Sequence, residues 1–356
     1  MKTLFTLIVI YSLFTLDLIG QEKESYRFSV EAQFEYGFLI GHHPEMQRLS
    51  TRYFPSFKVY AGHRTTGKKA WHQQYKFPEL GVGVYYSPLM FNDELGQAFA
   101  FFGYFDQVLG KKDRNNFKFR FGFGPGFLSS KFNSIDNNQN IAIGTNLNIF
   151  VFLEFQKAFK LSNALDLKIG VGAAHFSNTG VHMPNLGINL ATAQIGLKYR
   201  IGLQQLSTEA IPLPKNKVWT HEVLLSFGRK QSETEKAQST IVNTRYQGIF
   251  SLTYKSSLIG TADLFFDIGD AYKYESQKVE NYFQAGLAAG YLLNIEQFQA
   301  MLQWGVYLYN PNSDFMAFYH RIGFKWIATE HLLVNLSLRT EWARARNLEL
   351  GLGWRF

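Results

Sequence analysis

The stretch LDLKIGVGAAHFSNTGVHMPNLGINLATAQIGLKY, residues 165–199, decides how the chain folds. It reads as two antiparallel strands joined by a short connection rich in Gly, Pro and Asn. In the first arm Leu165, Leu167, Ile169, Val171 and Ala173 fall on alternate positions, and the same parity continues into His175 and Ser177. Asp166, Lys168, Gly170 and Gly172 take the other face. In the second arm Ala191, Ala193, Ile195, Leu197 and Tyr199 alternate with Thr192, Gln194, Lys198 and Arg200. Strand side chains point alternately to opposite faces, so His175, Ser177 and Asn189 share the apolar one. That face is core in a soluble sandwich and lipid-facing in a membrane barrel.

Composition separates the two. The chain holds 34 Phe, 19 Tyr and 30 Gly but only 9 Pro, and its mean hydropathy is −0.14. Aromatic richness without a long apolar run argues against membrane helices and for alternating strands. Residues 1–20 read as a secretory signal: Lys2, an apolar run from Leu4 to Leu18, then a small-residue cleavage point at Ile19-Gly20-Gln21. The absence of Cys excludes disulfides, thiolate metal sites, Cys nucleophiles and a lipid anchor through Cys. Net charge is +8, but the cations are scattered over strand faces and turns, with no basic-aromatic pattern of a nucleic-acid binder.

Alternating segments run from Tyr26 to the end of the chain. Phe28, Val30, Ala32, Phe34 and Tyr36 begin the series, and Leu348, Leu350, Leu352, Trp354 and Phe356 close it. The fold class expected is all-β, an antiparallel outer-membrane transmembrane β-barrel of about 14–16 strands. A final strand ending in an aromatic residue resembles the assembly signal of such barrels. Residues 204–217 (QQLSTEAIPLPKNK) interrupt the series. The division expected is a signal at 1–20, strands carrying the central hairpin at 21–204, a connection at 205–217, and C-terminal strands at 218–356. One large barrel is the simpler reading, and an eight-stranded barrel followed by a second β unit is the alternative.

With both termini periplasmic, the Leu165–Ser177 arm is the seventh strand and runs outward, which puts His175 and Ser177 at the outer leaflet. Polar groups on a lipid face are costly, so their presence asks for a reason. Ser becomes a nucleophile when a base takes its proton, and His two positions away on one strand face is within reach of that task. If the hairpin is symmetric about His182, Asn189 stands opposite His175 and can orient the ring through its carbonyl. Asn178 and Gly180 are candidates for oxyanion donors and support of the turn. As an isolated H-x-S pair, the bland reading is a polar rim at the membrane interface.

The segment HFSNTGVHMPNLGIN resembles the H-x-S-N-x-G…P-N-x-G signature of the PagL-type lipid A 3-O-deacylases and related outer-membrane acyloxyacyl hydrolases. GHHPEM, the extended C-terminal half and WARARNLELGLGWRF are similar to the long, Bacteroidetes-type branch. The resemblance implies an outer-membrane barrel that removes an ester-linked acyl chain from lipid A by a Ser–His–Glu arrangement. The partners expected are lipid A or lipopolysaccharide of the outer leaflet and the membrane; the chemistry of Ser and His calls for no cofactor, and no metal ligands are assigned. His175 matches the base and Ser177 the nucleophile. The family's Glu falls at Asn189, so Asn substitutes, a carboxylate elsewhere substitutes, or activity is lost. The family's small barrel covers Tyr26 to about Leu203. The rival class is a non-enzymatic barrel, porin-like or structural.

Other candidates have plainer readings. His42 and His43 belong to a surface loop, His182 to a solvated one, and the basic run His63–Lys69 and Lys111-Lys112-Asp113-Arg114 to the periplasmic side. Glu154 falls on the polar parity and is expected to face the lumen beside a cation. Gly122, Gly124 and Gly126 are barrel glycines, since no helix follows to make a nucleotide loop.

Overall fold

Strand formation follows from an inverted binary pattern, apolar outside and charged inside. The computed structural model describes residues 25–41, 43–50, 52–89, 93–110, 117–213, 218–231, 238–267, 282–311, 316–342 and 344–356. The predicted signal at 1–20, His42, the run Lys111–Arg114 and the end of the connection at 214–217 lie outside the described residues. In the first strand, β1 (Ser25–Leu39), the side chains of Phe28, Val30, Phe34, Tyr36 and Phe38 are exposed while Ser29, Glu31, Gln33 and Glu35 are buried. A water-soluble barrel would bury the opposite set. Only a lipid exterior accepts this one.

Seven further strands complete a first barrel: β2 (Tyr53–Arg64), β3 (Glu79–Ser87), β4 (Ala98–Val108), β5 (Phe117–Leu128), β6 (Leu147–Lys160), β7 (Leu165–Ser177) and β8 (Ile188–Gln204). β8 pairs back onto β1 from Ser25↔Gln204 to Leu39↔Leu190, so the sheet closes and leaves no edge for a ninth strand. The second half begins again with β9 (Trp219–Gln231), β10 (Gln238–Thr253), β11 (Ser256–Asp267) and β12 (Phe283–Ile295). It ends with β13 (Phe298–Tyr309), β14 (Phe318–Ile327), β15 (Leu332–Glu341) and β16 (Arg344–Arg355), and β16 closes onto β9. Two short helices, α1 (Pro44–Gln47) and α2 (Ala70–Gln74), sit in loops. Among the described residues no helix is long and apolar enough to cross a membrane.

The architecture corrects the single-barrel preference. The sixteen strands among the described residues lie within the expected range, but they form two closed eight-stranded barrels, with residues 205–217 separating their strands in the sequence. The physical reason is in the lumens. An eight-stranded barrel is just narrow enough for inward side chains to meet across it. Arg120 on β5 reaches Glu31 on β1 at 2.7 Å, Asp106 on β4 at 2.9 Å and Glu154 on β6 at 3.4 Å. Glu154, as expected, faces the lumen, where it also takes Lys58 at 2.7 Å. In the second barrel Arg321 is held by Asp263 at 2.8 Å and Glu349 at 2.9 Å, and Lys325 by Glu222 at 2.7 Å. Asp106 and Glu154 are Arg120's neighbours on adjacent strands, but Arg120–Glu31, Lys58–Glu154, Arg321–Asp263 and Lys325–Glu222 join strands that are not adjacent, and in one wide barrel those groups would be too far apart to pair.

Toward the end of the first barrel where β7 stops, the lumen fill turns apolar. Phe54, Phe102, Phe150 and Phe176 are buried there under Met46, Leu49, Leu89 and Ile143 from the loops. The two barrels touch along their sides, where the rings of Phe123 and Phe324 stack at 5.1 Å. At the end opposite the hairpin connection, Tyr75 Oη donates to Asn294 O at 2.6 Å. Lys69 of the basic run meets Glu296 at 2.8 Å there, an exposed pair worth little by itself.

Replacing Glu154 by Ala strips one acid from two buried cations. Each keeps a second partner, so the loss is expected at the low end for a broken buried pair, about 3 kcal/mol. Urea unfolding in detergent micelles reads it directly. Leu153→Ala, on the outward face, should cost less.

Candidate active site

β7 and β8 place the site. Along β7 the outward side chains are Ile169, Val171, Ala173 and then His175, while Lys168, Ala174 and Phe176 turn into the lumen and are buried. The register pairs His175 with Asn189 across the hairpin, the partner anticipated from symmetry about residue 182. His175 Nδ1 lies 2.7 Å from Asn189 Oδ1. An amide oxygen only accepts, so Nδ1 carries the proton in this contact, and in the neutral imidazole Nε2 is the basic nitrogen.

Ser177 ends β7 on the same outward parity and is largely covered by the connection that follows. Its Oγ donates to Asn185 Oδ1 at 3.2 Å, and accepts from Asn185 Nδ2 at 3.0 Å and from the Thr179 amide at 3.0 Å. Asn185 also accepts from the Asn178 amide at 3.1 Å. The Asn178 side chain caps the turn: its Oδ1 accepts from the Gly180 amide at 3.0 Å and its Nδ2 donates to His182 O at 2.7 Å. The amides of Asn178 and Gly180 are thus engaged within the turn, in a supporting arrangement. His182 stays in the loop, with Nδ1 on the Met183 carbonyl at 2.9 Å.

Gly187 fixes the ring's seat. Its φ is +78°, and a Cβ built there would stand 2.6 Å from His175 Cε1. Only glycine allows both the backbone turn and the ring's approach. Its amide bonds to Ala142 O at 2.9 Å, which ties the hairpin to the neighbouring loop.

The connection is also gripped by the second barrel. The Gln231 amide donates to Gly180 O at 3.0 Å, the Met183 amide donates to Gln231 Oε1 at 2.7 Å, and Gln238 Nε2 donates to Val181 O at 3.0 Å. Asn185, Gln231 and Gln238 were not legible as site residues from the sequence. For Asn185 the signal was present, since it stands in the quoted motif. For the two glutamines there was none.

Two family models match the chain in succession. Lipid A 3-O-deacylase (PagL) covers residues 56–198, and the acyloxyacyl hydrolase C-terminal domain covers residues 219–356. The chain belongs to the PagL family. It is therefore an outer-membrane β-barrel protein of the lipid A deacylases, and the second barrel corresponds to a family domain of its own. No curated protein sequence matches it. Among solved structures, Neisserial surface protein A is 11% identical and covers 51% of this chain and 100% of its own, with a TM-score of 0.32. Acinetobacter baumannii outer membrane protein Omp33 is 10% identical over 94% of this chain and 99% of its own, with a TM-score of 0.17. Both scores are low, and the barrel fold rests on the strand pairing itself. Among the described residues no cluster of His, Asp or Glu has the makings of a metal site.

Gly187→Ala in this PagL-family chain should leave the barrel folded while pushing the imidazole off its seat. We expect a drop in ester hydrolysis of at least about tenfold, or about 1.4 kcal/mol of barrier. Activity beside gel mobility of the folded form reads both at once.

Proposed function

We propose that the chain is a serine esterase that removes an ester-linked acyl chain from lipid A in the outer leaflet, using Ser177 as nucleophile, His175 as base and Asn189 as the group that orients the ring. The observation that carries this reading is the 2.7 Å contact from His175 Nδ1 to Asn189 Oδ1, which orients the imidazole on the lipid-facing side of the barrel with Nδ1, not Nε2, turned to Asn189. Ser177 Oγ turns from Asn185 toward His175 Nε2 as substrate arrives. It attacks the acyl carbonyl, and its proton passes to Nε2. The carbonyl oxygen takes up the negative charge beside Asn185 Nδ2 and the Thr179 amide, the donors within 3.0 Å of Oγ. His175 then returns the proton to the departing sugar oxygen. Water, its proton taken by the same imidazole, then attacks the acyl-enzyme; the fatty acid leaves, and the proton passes from Nε2 to the departing Ser177 Oγ. Asn178 and Gly180 support the turn that holds these donors.

Asn189 is the departure from the family's acid. A neutral hydrogen bond contributes about 1 kcal/mol net, and one to a charged group about 1.5–3 kcal/mol. Asn therefore keeps the ring in place but stabilises the imidazolium less than Glu would. An inactive scaffold is the second reading, and the neutral side chain is the observation in its favour. A short, well-formed bond to the ring favours retained function. The packed, charge-paired lumens favour neither a wide pore nor a channel.

Mass spectrometry of lipid A from cells expressing the wild type and Ser177→Ala tests the reading. The wild type should remove an acyl chain that the variant leaves in place; identical acylation with both proteins inserted would defeat it. Asn189→Glu should raise the rate about tenfold, or about 1.4 kcal/mol, within the extra ~0.5–2 kcal/mol of a charge-assisted bond.

A further inference from the structure

Beside the hairpin connection the second barrel carries a groove of about 770 Å³ with an overwhelmingly apolar wall. Leu225 and Phe227 of β9 and Leu350 and Leu352 of β16 form its length, all on the outward face and exposed. Val181, from the first barrel and four positions beyond Ser177, also lines it. Phe227 pairs with Leu350 and Leu225 with Leu352, so the groove runs parallel to the strands. Arg229 lines the end nearest the connection, and its side chain is exposed. From Arg229 to Leu225 is four residues of strand, roughly 13 Å.

We infer that this groove on the second barrel is the binding site for the acyl chain that the first barrel hydrolyses, with Arg229 facing the anionic headgroup. The inference rests on the proposed function and assigns the substrate's tail a place in it. Three observations converge on an acylated anionic amphiphile as the occupant. The walls are apolar and lie on the lipid side, where a hydrocarbon tail already is. A guanidinium stands at the one polar end, and it suits a phosphate better than any neutral head. The groove begins at the loop that carries Ser177, and the bonds from Gln231 and Gln238 to that loop fix the distance between the two. Plain membrane lipid would wet any outward face; it would not need a wall borrowed from the site's own loop.

Chain length is then the property that the second barrel reads. Leu225 and Leu352 stand at the deep end, so Trp at either position shortens the slot. The full chain in detergent micelles is given an equal mixture of two lipid A species, one with a decanoyl and one with a myristoyl group at the scissile ester. The ratio of kcat/KM for the long over the short chain is then read by mass spectrometry. Leu225→Trp and Leu352→Trp should each lower that ratio by about tenfold, the order expected when a few methylenes lose their pocket. Leu287→Trp, on the outward face of β12 and away from the groove, should keep the wild-type ratio. An unchanged ratio in folded Leu225→Trp and Leu352→Trp, or an equal fall in Leu287→Trp, overturns the groove. Ser177→Ala is run beside them. If it cleaves both species at the wild-type rate, the reading of the site fails; if it is inert while the ratios do not move, only the groove does.

Discussion

The structure depends on the pairing of buried charges inside two narrow barrels. Each inward-facing acid or base sits out of water, where an unpaired charge is ruinous and a paired one is tolerable. Arg120 finds Asp106 and Glu154 on adjacent strands, but its pairing with Glu31, and that of Arg321 with Asp263, exist because eight strands bring distant walls within a side chain's length. Closure at eight is thus a consequence of what the lumens contain. It also leaves the outer faces mainly apolar, so that a polar cluster there stands out.

His175, Ser177 and Asn189 are such groups. They are placed by the same alternation that sends Lys168, Gln194 and Lys198 inward, so the rigid wall holding the lumen together also holds the imidazole. The connection beyond Ser177 is organised by Asn178 and Asn185, seated by Gly187 and clamped by Gln231 of the other barrel. A site on a barrel's exterior has no cleft of its own. Here a second barrel lies alongside, and Val181 of the connection lines a groove with its outward apolar residues.

Much of this was legible in the sequence, because strand parity is a local property. Residues 165–199 announced which side chains face lipid, that Asn189 lies opposite His175, and that the hairpin is the seventh and eighth of its series. Glu154 was legible as a lumen group for the same reason. What could not be read locally was which strand closes on which. The pairings of β8 with β1 and β16 with β9 join segments far apart in the chain, and no residue near residues 204–217 declares that a barrel has ended. Asn185 escaped notice as a partner of Ser177 because their contact depends on how the turn folds over. Gln231 and Gln238 escaped because they belong to another barrel.

The central claim is that a nucleophilic hydroxyl at residue 177 faces the acyl tails. A fluorophosphonate bearing a long alkyl chain, added to outer membranes holding the full chain, tests it most directly through peptide mass spectrometry of the adduct. The account predicts a single phosphonylated serine, Ser177, with labelling abolished in His175→Ala. Label on any other residue, or equal labelling without the histidine, would contradict it.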